Sequence, residues 1–357
     1  MTGVPASFKK LRKMRKTLVC ITPLLASITT AFVAGAQMPA APSQYRSGLL
    51  SVSYYIESAN SSLNSLNGLL RKDNYRNKII HLNNPVNNEL GFSLKNEILL
   101  ALKPIMDKTK KADTKKFKEV IENFLNNPED NGIKSVKKHL PAIGIFSTVL
   151  SLVGNLVINE KTITKEDLNK FIERIDVYFY QYEKLNAINE SFGLQVAELL
   201  ERTEAAKNDL REFLVECITT LRPNVTMASL HDLQIEVLLQ RYYDPQKLMN
   251  WFDTTASFDE LSLYPPDAAT SVKTITSVIR KLQKEFESIY NENYKQLSEL
   301  INSLKTTLAN LDQAQLARTS SELDQLYKDS RQADVVNLNI SLVQERMNTV
   351  CRLINRK

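Results

Sequence analysis

Apolar residues along most of this chain recur every three or four positions, which places them on one face of an α-helix instead of alternate faces of a strand. Leu49, Val52, Ile56, Ala59, Leu63, Leu66 and Leu70 alternate spacings of three and four, one face over three heptads. A second stripe runs Leu168, Phe171, Ile175, Tyr178, Tyr182 and Leu185, extended by Val196, Leu199, Leu210 and Cys217. A third runs Val272, Ile275, Ile279, Leu282, Phe286, Tyr290, Tyr294, Leu297, Ile301, Leu304, Leu308 and Leu311. Near the C-terminus the pattern returns in Val336, Ile340, Val343, Met347, Val350 and Ile354. Amphipathic helices of this length cannot bury a stripe alone. The predicted class is all-α, an elongated antiparallel helical bundle with long coiled-coil-like helices.

Punctuation supports the same reading. All nine glycines lie at or before Gly193 and the last proline is Pro266, so the C-terminal part lacks the residues that tight strand-to-strand turns require. Thr164 is placed to cap a helix with Asp167 at its N3 position, and Arg222-Pro223 stops that helix after Leu221. Such a helix would span about 85 Å, with Gly193 as the expected bend. Pro265-Pro266 precede the next long helix. An Asn-rich loop (Asn83, Asn84, Asn87, Asn88) ends the first unit. Shorter helices are expected around 93–111, bent at Pro104, and 114–126. Between Thr226 and Leu263, Asp244-Pro245 and Ser257 with Glu260 mark the starts of short pieces.

Composition changes the picture only at the N-terminus. The 357 residues carry a formal net charge of +6, with 43% hydrophobic and 24% charged residues, an ordinary globular balance. Residues 1–36 hold Lys9, Lys10, Arg12, Lys13, Arg15 and Lys16 and no acid, and without them bases and acids are equal. The basic excess is therefore local, and no nucleic acid is expected as a partner. A basic stretch to Lys16, an uncharged stretch from Thr17 to Val33 and Ala34-Gly35-Ala36 read as a signal peptide cleaved after residue 36. Residues 37–44 then form an extended leader and 45–357 the bundle. The expected location is exported: periplasm, cell surface or extracellular. Two cysteines remain, Cys217 and Cys351, which an oxidising compartment permits to bridge. An antiparallel return of the last helix would bring Cys351 to the end of the bundle that holds Cys217.

Candidate chemistry is sparse. His81, His139 and His231 lack partners at metal-ligand spacing, and no phosphate loop, nucleophile elbow or Cys-x-x-Cys occurs. The acid pairs Glu166/Asp167 and Asp259/Glu260 sit at helix starts, where the helix dipole accounts for them. No catalytic residue, cofactor or metal is expected. The aromatic run Tyr178, Phe179, Tyr180, Tyr182 must face more than one side of its helix, as bundle core with some rings left at the surface.

One segment stands apart. Residues 140–158 contain no charge over nineteen positions, about 27 Å as a helix and close to the thickness of a bilayer core. Gly144, Ser147, Thr148, Ser151, Gly154 and Asn155 form a small-and-polar stripe opposite Ile145, Phe146, Val149, Leu152, Val153 and Leu156. It reads as a core helix of the bundle, as a constitutive span, or as a segment buried in the soluble form and released into a lipid membrane. Lys134, Lys137 and Lys138 on its exported flank oppose the constitutive span. In this layout (export signal, long helices, one apolar interruption) the chain resembles the α-helical pore-forming toxins of the cytolysin A and tripartite enterotoxin kind. That resemblance implies an extended bundle with an apolar head that inserts and oligomerises. The residues themselves imply an exported, non-enzymatic bundle acting as a binding or scaffold module, with a protein partner or self-association through its helices.

Overall fold

The computed structural model describes residues 40–108, 164–254, 263–308, 310–337 and 339–355, with single positions at 119, 149, 151 and 153. Of these residues 85% are helical and none is in a strand. The all-α class is correct. The chain divides into two units, residues 1–47 and 48–357. Of the first, the structure describes the opening of α1 (Ala40–Arg71). The extended leader expected over 37–44 is therefore shortened, because α1 already begins at Ala40 and Pro42 fits a first helical turn, where its missing N–H costs nothing. The signal-peptide reading of residues 1–36 lies outside the described residues.

The second unit is built from four passes of chain. The first comprises the rest of α1, then α2 (Asn74–Leu82) and α3 (Leu94–Met106), with Pro104 inside α3. The second is α4 (Lys165–Leu221), one helix of 57 residues that runs unbroken through Gly193. Its start follows the expectation: Thr164 Oγ1 accepts from Asp167 N and the Asp167 carboxylate accepts from Thr164 N, a complete capping box. Short helices α5 (Met227–Leu230) and α6 (Ile235–Leu238), a π-helical turn at Leu239–Tyr243 and α7 (Pro245–Thr254) lead to the third pass. That pass is α8 (Ala268–Thr307), and the fourth is α9 (Gln313–Asn337) with α10 (Ile340–Ile354).

Cross-links between passes define their directions. Asn67 and Arg71 meet Glu204, Asn83 meets Asn186 and Phe92 meets Tyr182, so the first pass runs antiparallel to α4. Arg202 pairs with Glu285 at 2.6 Å and Phe192 packs on Tyr290, so α8 runs antiparallel to α4. Tyr294 bonds Asp324 and Tyr327 bonds Asn291, which reverses the chain again. Tyr55 Oη donates to Val272 O and Tyr75 Oη to Asn293 Oδ1, so the first and third passes are parallel and in direct contact. The pattern is up-down-up-down, and the antiparallel bundle is present.

The predicted stripes are the core. Every member of the first stripe from Leu49 to Leu70 is buried, and so are Phe171, Ile175, Tyr178, Tyr182 and Leu185 of the second. Along the third, only Tyr294 and Leu311 are half-exposed. Helix α8 ends at Thr307, before Leu311, and Leu311 instead packs beside Gly91. Gly91 has φ +79, and a Cβ there would stand 2.7 Å from the Asp312 carbonyl, while its own carbonyl accepts from Asp312 N at 2.8 Å. This close approach, open only to glycine, ties the loop before α3 to the start of α9. The terminal stripe from Val336 to Ile354 does not form one helix: the chain turns at Asn339, which has φ 35 and begins α10.

Candidate functional site

Asp73 sits in the two-residue break between α1 and α2, a break the apolar spacing alone does not show. Its carboxylate caps α2 by accepting from Tyr75 N at 2.9 Å. It also accepts from Tyr290 Oη at 2.5 Å and from Ser330 Oγ at 3.1 Å. Only 7% of Asp73 is exposed. A buried carboxylate is costly unless its lone pairs are filled, and here three donors from three helices fill them. Around it stands an aromatic box with rings from every pass: Tyr75, Phe192, Phe286, Tyr290 and Tyr327. Phe192 meets Tyr290 edge-on at 5.1 Å, and Tyr294 stacks on Tyr327 at 4.1 Å with 7° between planes. Burial, with the Asp73 charge alongside, pushes the phenols of Tyr290 and Tyr75 well up. Both therefore stay neutral donors. A phenol with its proton committed to a carboxylate is a pin between helices, and a poor acid or nucleophile.

A second polar cluster closes the end of the bundle where the chain leaves α3 and enters α4. Lys108 Nζ lies 2.6 and 2.7 Å from the two Asp167 oxygens, so the capping-box carboxylate also binds the residue just past α3. The apolar segment 140–158 lies between these two clamped points in sequence. Of its candidate residues the structure describes three: Val149 and Val153 are helical and fully buried, and Ser151 is helical and exposed. These three follow the expected division between apolar and small-polar faces. Ile145, Phe146, Leu152 and Leu156 lie outside the described residues, as do His139, Asp259, Glu260 and all of the helix expected at 114–126 except Glu119, which is helical and exposed. Among the described residues no helix is long and apolar enough to cross a membrane, and no cluster of His, Cys, Asp and Glu could hold a metal ion. His81 pairs with Glu89 and His231 with Asp232.

The aromatic run on α4 divides as its spacing requires. Tyr178, Phe179 and Tyr182 are buried, and Phe92 of the first pass packs on Tyr178 and Tyr182. Burial, with Glu97 alongside, pushes the Tyr178 phenol up to about 12. Tyr180 is 53% exposed, with Lys184 Nζ 4.3 Å above its ring.

The bridge considered for Cys217 and Cys351 is not formed; both thiols are free and buried. They do share one end of the bundle. Cys217, on α4, lies against Tyr243 and near Asp267, and Cys351 Sγ reaches the Ala269 carbonyl at 3.9 Å. The return of the last helix is therefore antiparallel, but each sulfur faces a different neighbour. Burial pushes both thiols up, which leaves them unreactive.

Comparison of the chain with protein-family models, with curated proteins and with solved structures returns no match.

Two outcomes check this site. Asp73→Ala removes a helix cap and leaves the Tyr290 hydroxyl without its acceptor, and should cost about 2–4 kcal/mol of stability in chemical denaturation. Asp73→Asn keeps one acceptor and should lose less; an alanine variant within experimental error of the parent would remove Asp73 from its central place. The clamp is tested by pH. Lys108 and the Thr164 cap hold the Asp167 carboxyl down at about 2. A depressed folded value gives a contribution that is full above the ordinary carboxylate range and lost as pH falls through about 2. Asp167→Asn should therefore melt below the parent at pH 6 and together with it at pH 2.

Proposed function

We propose that this chain is an exported, non-enzymatic helical bundle that acts as a binding or scaffold module, engaging a protein partner or a second copy through the outer face of α4. The observation that carries the reading is the set of apolar side chains left in solvent on that helix. Leu194 is 73% exposed, and Val177 and Tyr180 join it on positions that continue by threes and fours through Lys184, Ala187 and Ser191. Exposed apolar residues in one helical register are what a partner helix covers. The interior supports a scaffold role, because Asp73, Tyr55, Tyr75 and Tyr290 spend their polar groups on holding the passes together. Export is supported by the basic, apolar and Ala-Gly-Ala order of residues 1–36.

The membrane-active reading, in which 140–158 inserts as in the pore-forming toxins that the layout resembles, is favoured by one observation. The Lys108–Asp167 clamp fastens the two flanks of the sequence that contains 140–158 to each other at 2.6 Å, a tie between α3 and α4 that does not use that sequence.

One experiment separates the two. The chain from Gln37 onward, with a photo-activated crosslinker at Leu194, should form protein adducts in the exported fraction and none with the probe at Glu345, exposed on α10. It should neither float with liposomes nor release trapped dye between pH 5 and 8. Adducts absent at Leu194, Tyr180 and Val177 would sink the binding reading. Dye release that Ser151→Asp abolishes would establish the membrane reading in its place.

A further inference from the structure

The apolar residues left in solvent on α4 border a groove between that helix and α8. Ala187, Ile188 and Ser191 of α4 and Glu299, Leu300 and Ser303 of α8 line a space of about 640 Å³. Ile188 is half-buried and Leu300 buried, so the floor is apolar. Ala187, Ser191 and Ser303 keep the walls low, and small side chains at a contact let another helix axis come close. Tyr180 and Leu194 stand seven positions either side of Ala187, about two helical turns each way. The groove is therefore bracketed along α4 by exposed apolar side chains.

Its rims are acidic on both sides. Glu183, Glu190 and Glu201 recur at spacings of seven and eleven, which puts them on one line of α4, beside the apolar register and on the side opposite Ile188. On the other rim Glu299 lines the groove and Glu292 precedes it by seven positions on α8. All five carboxylates are exposed. Glu190 accepts from Asn186 Nδ2 at 2.9 Å and Glu292 from Gln296 Nε2 at 3.0 Å, both neutral amides. None of the five forms an ion pair among the described residues. From Ile175 to Glu201, α4 carries Asp176, Glu183, Glu190, Glu198 and Glu201 against one base, Lys184. Lys184 Nζ lies over the Tyr180 ring, so that ring already takes an ammonium on its face. Lys295 is the base on the α8 rim.

We propose that the groove between α4 and α8 takes a basic amphipathic helix of a partner protein. Its apolar side chains lie on Tyr180, Leu194 and the floor of Ile188 and Leu300, and its Lys or Arg side chains lie over the two acidic rims. This rests on the reading of α4 as a binding face and adds the chemistry of what binds there. A helix laid in a groove is anchored at spacings of three and four, the spacing of the exposed α4 register. Opposite charge along the rims steers the encounter and fixes the register of the docked helix. Anionic lipid and nucleic acid meet repulsion from the same rims.

Fluorescence anisotropy of two labelled helical peptides with the full chain tests this. Both peptides carry Leu at spacings of three and four; one has Lys on its flanks and the other Glu. The Lys peptide should bind saturably, and added salt should weaken it. Changing Glu183→Gln, Glu190→Gln and Glu299→Gln together should weaken it about tenfold, with circular dichroism unchanged. Leu194→Ser should weaken it as well. Equal affinity for the Lys and Glu peptides, with Leu194→Ser still weakening both, would overturn the basic partner and leave the α4 face standing. Binding of the Lys peptide that Leu194→Ser leaves unchanged would overturn both. No saturation at millimolar Lys peptide would overturn the assignment made here. A dimer of the chain that Leu194→Ser dissolves would overturn it in favour of a second copy.

Discussion

A carboxylate taken out of water must be given donors in fixed places, and in this bundle one carboxylate obtains them from three of the four passes. Asp73 interrupts the first pass, caps the helix that resumes it, and receives hydroxyls from α8 and α9. Hydrophobic burial alone would bring four amphipathic passes together in many rotations and offsets, because one apolar stripe packs almost as well as another. The hydrogen bonds to Asp73 select one arrangement. The aromatic box then fills the space around it, and Asn293, Tyr75 and Tyr327 take the positions which that arrangement leaves.

The same division between apolar and polar forces decides how much could be read in advance. The stripes from Leu49 to Leu70 and from Val272 to Leu304 obey a period of 3.6, and their burial follows. Thr164 with Asp167 and the stop at Arg222-Pro223 are local signals whose geometry involves only neighbouring residues, and α4 matches them at both ends. Asp73 was illegible because its meaning lies in Tyr290 and Ser330, more than two hundred residues away. The clue was local and slight: an acidic residue in capping position before the run to Ile79 and Leu82. Helix α9 escaped for a related reason. It buries Leu316 and Leu323 but is fastened by polar contacts, Thr319 to Glu89 and Glu322 to Lys78. No hydrophobic pattern marks a helix held that way.

Interior and surface also divide the functional readings. The buried polar groups of the core serve the fold, and their phenols and thiols are pushed away from reactivity. The surface carries different features: the apolar residues left in solvent along α4, and the end of the bundle where Lys108 meets Asp167.

The span between Asp73 and Ser330 carries a consequence for the order in which the molecule forms. Contacts 257 residues apart raise the contact order of a helical protein, a class that otherwise folds on local contacts. The helix pair α4 and α8 can zip early, since its partners are near in sequence. The first pass is synthesised before any of them, and its apolar stripe waits uncovered until α4 exists. Its carboxylate waits longer, until the last eighth of the chain begins to emerge. A chain built in this order closes the surroundings of Asp73 last, and locks only when its final helices arrive.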